Sequence, residues 1–323
     1  MLQDAFGRRI EYLRLSVTDR CDLRCAYCMP EGFSDYQEPA RWLSFDEIER
    51  LLSVFARLGL KRIRLTGGEP LLRKNVSDLA RRLSALPGID DLSLSTNGTQ
   101  LRKYASRLRQ AGVARLNVSL DSLDRDRVRS ISRRDVLPQI LEGLEVAREE
   151  GFRLIKINMV AVPGVTADEI DAMVAYCGER GFVLRLIETM PIGESGRNAG
   201  FVDLQPIRER LRSRFGLVDG VVPGGGPARY LVSPDGRLQV GFITPISQHF
   251  CETCNRVRLG VDGTLHLCLG QNDTVDFRTL LRAECTDAEL EETLRAALRA
   301  KPWRHEFRER PQQIIRVMSS TGG

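Results

Sequence analysis

The sequence predicts an α/β fold, a partial TIM-like (β/α)6 barrel followed by a C-terminal β-hairpin and helix domain. The first two-thirds of the 323 residues alternates short β-branched runs with longer amphipathic ones. Its six strand candidates are separated by single helices, which implies right-handed βαβ units and a parallel sheet. Beyond about residue 218 the alternation stops and turn signals take over. Six units are too few to close an eight-fold barrel, so the barrel is read as open, with a flat doubly wound sheet as the alternative.

In chain order the strand candidates are Tyr12–Val17, Lys61–Thr66, Asp91–Thr96, Arg115–Leu120, Leu154–Val160 and Val183–Glu188. Ser44-Phe45-Asp46-Glu47 is a capping box that opens a helix closing at Gly59, and Thr166-Ala167-Asp168-Glu169 opens another closing at Gly181. Further helices are predicted at about Asn75–Ala85, Gln100–Ala111 and Leu137–Glu149. Residues 1–218 are assigned to the barrel and 219–323 to a second domain. Val222-Pro223-Gly224-Gly225-Gly226-Pro227 reads as a linker or exposed loop. Ser233-Pro234-Asp235-Gly236 and Val261-Asp262-Gly263-Thr264 are hairpin turns, and Thr286-Asp287-Ala288-Glu289 caps a helix running to about Arg299.

Composition is that of a globular protein, 42% hydrophobic and 28% charged. No apolar run is long enough to cross a bilayer and the amino terminus lacks a secretory signal, so a cytoplasmic protein without membrane partners is expected. The formal net charge is +5, and only five of the 48 basic residues are lysine. Arginine this abundant makes any single surface arginine poor testimony to function. No segment concentrates the charge into a nucleic-acid-binding arm.

Six of the eight cysteines fall into two tight triplets, leaving Cys177 and Cys285 alone. In a chain this long and cysteine-poor, triplets point to metal rather than disulfides. Cys21-x3-Cys25-x2-Cys28 directly follows the first strand candidate. Three thiolates on one loop can reach three irons of a cubane and leave the fourth open to a ligand. Structural zinc, the alternative, wants four protein ligands, and nothing nearby supplies the fourth. Placed at the mouth of a first barrel strand, this motif resembles the radical S-adenosylmethionine superfamily.

That resemblance implies a [4Fe–4S] cluster on Cys21, Cys25 and Cys28, with S-adenosylmethionine on its open iron. It places Tyr27 beside the adenine and likens Gly67-Gly68-Glu69-Pro70 to the superfamily's methionine-binding loop, in which Gly68 is the cofactor contact. Ser119 and Met190, at the ends of the fourth and sixth strands, are cofactor contacts by the same likeness.

The second triplet, Cys251-x2-Cys254-x13-Cys268, straddles the Val261–Thr264 turn, which folds Cys268 back toward the first pair. With His266 it could form a Cys3His zinc site. With Asn255-Arg256-Val257-Arg258 directly after Cys254, it closely resembles the GTP 3′,8-cyclases that begin molybdenum-cofactor biosynthesis, a likeness running from Leu13 to the closing Gly-Gly. The residues argue independently for an anion. Arg14, Arg64 and Lys156 sit inside strand candidates, where unpaired cations are costly, and Arg256 and Arg258 share a strand face. Protein carboxylates or a bound polyanion could meet that charge.

In the resembled family the positions of Arg14, Arg64, Lys156, Arg256 and Arg258 bind GTP, and Ser95 falls at a hydroxyl position of the same site. The family's reaction is implied with them: a 5′-deoxyadenosyl radical takes the ribose 3′ hydrogen, and the resulting carbon radical closes onto guanine C8. The resemblance also implies a second [4Fe–4S] cluster on Cys251, Cys254 and Cys268, an external electron donor, a homodimer and a following enzyme that takes the product. Gly322 and Gly323 are implied to enter the active site, whereas a chain end alone would read as frayed. The rival enzyme reading is a radical peptide-modifying enzyme with an auxiliary cluster. A two-cluster electron carrier would want four ligands at each cluster.

Overall fold

The computed structural model describes residues 1–322. Among them twelve strands form one continuous sheet: β1 Tyr12–Ser16, β2 Arg62–Thr66, β3 Asp91–Thr96, β4 Arg115–Ser119, β5 Leu154–Ala161, β6 Val183–Glu188, β7 Val218–Gly220, β8 Arg229–Val232, β9 Gln239–Ile243, β10 Arg256–Leu259, β11 Thr264–His266 and β12 Thr274–Asp276. Their spatial order is β12-β11-β10-β1-β2-β3-β4-β5-β6-β9-β8-β7. The run from β10 to β9 is parallel throughout, and an antiparallel hairpin extends it at each edge.

All six expected strands form with ends shifted by no more than one residue, yet the parallel run holds eight, because β10 adds to β1 and β9 to β6. The chain beyond residue 218 therefore extends the barrel sheet at both of its edges. Neither added strand is announced by a preceding helix, so the βαβ rhythm that reveals the other six is missing. Both predicted turns connect hairpins, β8–β9 around Ser233–Gly236 and β10–β11 around Val261–Gly263. The three capping boxes close on the helices Phe45–Arg57, Ala167–Arg180 and Asp287–Arg299. A helix at Leu204–Phe215, capped by Asp203, carries four arginines and a weak apolar stripe, and the sequence pattern did not reveal it.

Alternation along the parallel strands sorts the chain into two faces. Leu13, Leu15, Ile63, Leu65, Leu92, Leu94, Leu116, Val118, Ile157, Leu184 and Leu186 are fully buried in one apolar core, to which the helices Phe45–Arg57, Val76–Ser84, Leu101–Gln110 and Leu137–Glu149 contribute their buried faces. Cys177, expected to be a small buried hydrophobe, belongs to this core. The intervening positions bring Arg14, Arg64, Ser93, Asn117, Asn158 and Arg185 onto the other face. A parallel barrel normally fills its lumen with branched apolar side chains; this one is polar and cationic.

The loop Val222–Pro227 corrects an expectation. Its outer side is exposed, but a Cβ on Gly224 would sit 2.5 Å from an Arg115 guanidinium nitrogen and 3.2 Å from Lys156 Nζ. Gly224 also adopts a φ of +138°, which side chains rarely take. The glycines let the backbone lie directly on the cations near the N-terminal ends of β2, β4 and β5. The loop is a packed floor rather than a linker.

Candidate active site

Strand register explains how the cations meet. Arg258 of β10, Arg14 of β1, Arg64 of β2 and Ser93 of β3 are successive partners across four strands. Ser95, Asn117 and Lys156 form a second row across β3, β4 and β5, and Asn158 pairs with Arg185 of β6. Arg64, Lys156, Arg185 and Arg258 are all buried, and among the described residues none has a carboxylate partner. Arg64 finds Ser93 Oγ at 3.4 Å and the ring of Tyr12. Arg185 donates to the amide oxygens of Asn117 and Asn158. Lys156 donates to the Pro223 carbonyl at 2.9 Å and to Tyr230 Oη at 3.0 Å.

Burial and mutual repulsion weaken every one of these cations. Arg14 is pushed well below its ordinary value by burial and then by Arg258 and Arg64. Burial, followed by neighbouring arginines, brings Arg258 to about 9, Arg185 to about 10 and Lys156 to about 7. Charges that destabilise one another to this degree in a protein interior call for an anion among them. The donor set fits a polyphosphate.

These side chains line a cavity of about 300 Å³ that runs up to both cysteine triplets. Arg14, Arg64, Ser95, Arg256 and Arg258 line it, whereas Lys156 lies beneath, against the floor loop. The buried Ser95 hydroxyl and Arg256 Nε find no hydrogen-bond partner among the described residues. Arg185 and Asn158 also line the cavity and went unnoticed in the sequence. Their signal was the one that singled out Lys156, a polar residue within an apolar strand.

The first triplet occupies the loop after β1. Cys28 and Met29 donate their N–H groups to the Cys25 carbonyl, which tightens the loop so that all three thiols face the cavity. Burial pushes Cys21 up to about 12, Cys28 to about 11 and Cys25 well above the thiol range. Metal is what would draw such thiols into the anionic form that ligates. The Tyr27 hydroxyl donates to Asp121 Oδ2 at 2.8 Å, and Asp121 Oδ1 accepts the Val160 N–H at 2.8 Å. Gly68 turns against Arg20 so closely that any Cβ would collide with the Arg20 carbonyl. The buried Glu69 accepts from Leu71 N–H, Thr96 Oγ1 and Asn97 N–H, and burial raises it to about 7. Ser119 and Met190 stand on the same rim.

The second triplet lines the same cavity. The sulfur of Cys251 accepts the His305 N–H, that of Cys254 the Arg256 N–H and that of Cys268 the Gly270 N–H. His266, the fourth ligand of the zinc alternative, faces Arg316, Asp262 and Arg258 electrostatically. Among the described residues no three His, Cys, Asp or Glu side chains converge where one metal ion could sit.

The C-terminal residues reach this cavity. Ser319 donates its N–H to Cys28 Sγ, and Arg258 donates to the carbonyls of Thr321 and Gly322. Gly322 has a φ of +77°, and a Cβ there would strike Thr66 Oγ1. Gly323 lies outside the described residues.

A model described as Radical SAM superfamily matches residues 15–177, and one described as Molybdenum Cofactor Synthesis C matches residues 182–307. A protein named GTP 3′,8-cyclase from Ectopseudomonas mendocina is 47% identical over 100% of this chain and 98% of its own. The chain belongs to the GTP 3′,8-cyclase family of the radical S-adenosylmethionine superfamily. A second family member, from Paracoccus denitrificans, is 45% identical over 100% of this chain and 96% of its own. Streptococcus suis SuiB, solved with S-adenosylmethionine, superimposes with a TM-score of 0.65 at 15% identity, over 90% of this chain and 68% of that one. That likeness bears on the fold alone and agrees with an open barrel. No helix among the described residues is long and apolar enough to cross a membrane.

Proposed function

We propose that this family member converts GTP to (8S)-3′,8-cyclo-7,8-dihydroguanosine 5′-triphosphate, the first step of molybdopterin synthesis. The observation that carries this reading is a single cavity lined by both cysteine triplets and by a row of cations on neighbouring strands. Cys21, Cys25 and Cys28 would hold the cluster that binds S-adenosylmethionine, with Tyr27, Gly68, Ser119 and Met190 around that cofactor. Cys251, Cys254 and Cys268 would hold the second cluster. When bound, the first cluster and S-adenosylmethionine supply the hydrogen-abstracting radical.

The chain's own residues orient the substrate and exclude water. Arg14, Arg64, Lys156, Arg256 and Arg258, with Ser95, would bind GTP, and we add Arg185 because it shares their face and has no carboxylate partner among the described residues. The glycine floor closes the barrel beneath them. Residues 1–218 would supply the barrel and 219–323 the second cluster and the tail. A cytoplasmic homodimer served by an external electron donor, whose product passes to the next enzyme of the pathway, completes the proposal.

The deciding experiment is anaerobic S-adenosylmethionine cleavage with and without GTP, alongside metal analysis. About eight irons per chain and a cyclised nucleotide are expected. About four irons with one zinc, or cleavage indifferent to GTP, would sink the reading.

Charge at Lys156 yields a second expected result. Replacing Arg14, Lys156 or Arg258 with Ala weakens GTP binding by about 1–3 kcal/mol each, the scale of a charge-assisted hydrogen bond, and guanosine binding does not change. In the free protein Lys156 loses its proton near pH 7. A triphosphate favours the charged form, so binding takes up a proton above that pH, and affinity falls as pH rises through the window above 7. Calorimetry at pH 8 in two buffers of different ionisation enthalpy should detect this uptake in the wild type and less of it in K156M. Equal uptake in both would assign the proton elsewhere.

A further inference from the structure

The second triplet is flanked by two buried cations outside the substrate row, of which Lys301 lines the same cavity. Lys301 follows the helix Asp287–Arg299, is 2% exposed, and donates its ammonium to the carbonyl of Leu267, the residue before Cys268. Arg8, 8% exposed, donates to the Cys251 carbonyl at 2.7 Å and to the carbonyls of Pro302 and Trp303 at 2.7 Å. Its guanidinium lies 5.3 Å from the ring centroids of both Phe6 and Trp303, which meet each other edge to face at 5.1 Å. The N-terminal turn thus clamps the Lys301–Trp303 segment against the cysteines.

The two cations differ in compensation. Arg8 has a carboxylate, Asp4, at 2.6 Å and itself wholly buried. Lys301 has none among the described residues. An ammonium buried without a counter-anion is expensive. The anion within reach is the triplet itself once deprotonated: Lys301 lines the cavity together with Cys251, Cys254 and Cys268, and its ammonium is bound to the carbonyl next to Cys268. Around the first triplet the field has the opposite sign, with Asp22, Glu69 and Asp121 nearby.

We infer that Lys301 is the counter-ion of the second cluster and, with the Asp4–Arg8 pair, sets that cluster's reduction potential above the first one's. The inference rests on the proposed cluster at Cys251, Cys254 and Cys268. Reduction adds a negative charge, which a fixed cation stabilises and a fixed anion opposes. Removing Lys301 therefore lowers the potential. Removing the Asp4 charge raises it, because the positive charge of Arg8 then loses its counter-charge.

The test is an anaerobic redox titration of reconstituted protein, following each cluster by electron paramagnetic resonance. K301M should shift the second-cluster midpoint negatively by a tenfold change in its reduction equilibrium, about 59 mV for one electron. D4N should shift it positively, K301R should hold it, and the first-cluster signal should stay put in all three. Opposite shifts cannot come from loosened packing, which would move both variants alike. Unmoved midpoints, or shifts of one sign, would overturn the inference. If K301M comes out with about four irons while K301R keeps about eight, the charge is needed to retain the cluster and the inference stands. If both lose the cluster, the side chain acts by shape and the inference fails. A wild type with only about four irons fails earlier, at the cluster reading itself.

Discussion

Cys25→Ala is expected to abolish S-adenosylmethionine cleavage, while Cys268→Ala abolishes cyclisation and leaves uncoupled cleavage behind. Both triplets line one cavity, and their sulfurs accept from different residues, Asn97 and Ser319 at the first and His305 and Gly270 at the second. Losing Cys268 therefore leaves the first loop, its Tyr27–Asp121 tie and the Gly68 turn intact. Losing Cys25 removes a thiol ligand and deprives nothing at the second triplet. Cleavage by C25A should fall by about 10³-fold or more, in the range seen when a member of a catalytic set is deleted. The checks are 5′-deoxyadenosine release, nucleotide product, iron per chain and circular dichroism, measured on the same preparations. Equal and total loss of cleavage in both variants, with the fold intact, would contradict the division of labour.

How much of this was legible in the sequence depends on whether a feature is local. The six helix-linked strands and three capping boxes were readable because period and cap chemistry lie within a dozen residues. The floor loop was misread because glycine and proline signal a turn but not what lies beneath it. Only the strand order brings Arg62, Arg115 and Lys156 under Gly224 and Gly225. The fusion of the C-terminal segment with both barrel edges was hidden for the same reason, since β9 and β10 pair with strands far away in sequence.

At the site, the cysteines and the in-strand cations Arg14, Arg64 and Lys156 stand out by type and spacing, whereas the Gly-Gly-Glu-Pro turn is recognisable only through its resemblance to the superfamily's loop. Arg185 does not stand out, although it breaks the apolar run of Val183–Glu188 just as Lys156 breaks that of Leu154–Ala161. In a chain with so much arginine and only five lysines, the lysine stood out and the arginine did not. Arg8 and Lys301 were invisible, because nothing local relates residue 8 to residue 301 or either to the second triplet.

Removal of Gly322 and Gly323 should suppress product formation by about 10²-fold, the scale of a small misplacement of reacting groups, while folding, iron content and GTP binding stay near those of the full chain. The tail is no frayed end in this structure: Ser319, Thr321 and Gly322 are buried, and Ser319 meets Cys28 while Gly322 meets Thr66 and Arg258. Those contacts involve Cys28 and Arg258, which we propose hold the first cluster and the substrate, but little of the apolar core, so truncation costs organisation of the site rather than stability. Gly322→Ala makes a sharper variant. The new methyl must occupy the space of Thr66 Oγ1 at a φ of +77°, so the tail cannot seat although the chain keeps its length. Arg258 donates to the Thr321 and Gly322 carbonyls; the truncation deletes the second of these acceptors, and Gly322→Ala pushes it out of place. The measurement is single-turnover product yield beside calorimetric GTP affinity. A truncated enzyme turning over at the full-length rate would mean that Arg258 manages without the Gly322 carbonyl and that the seated tail is incidental to the chemistry.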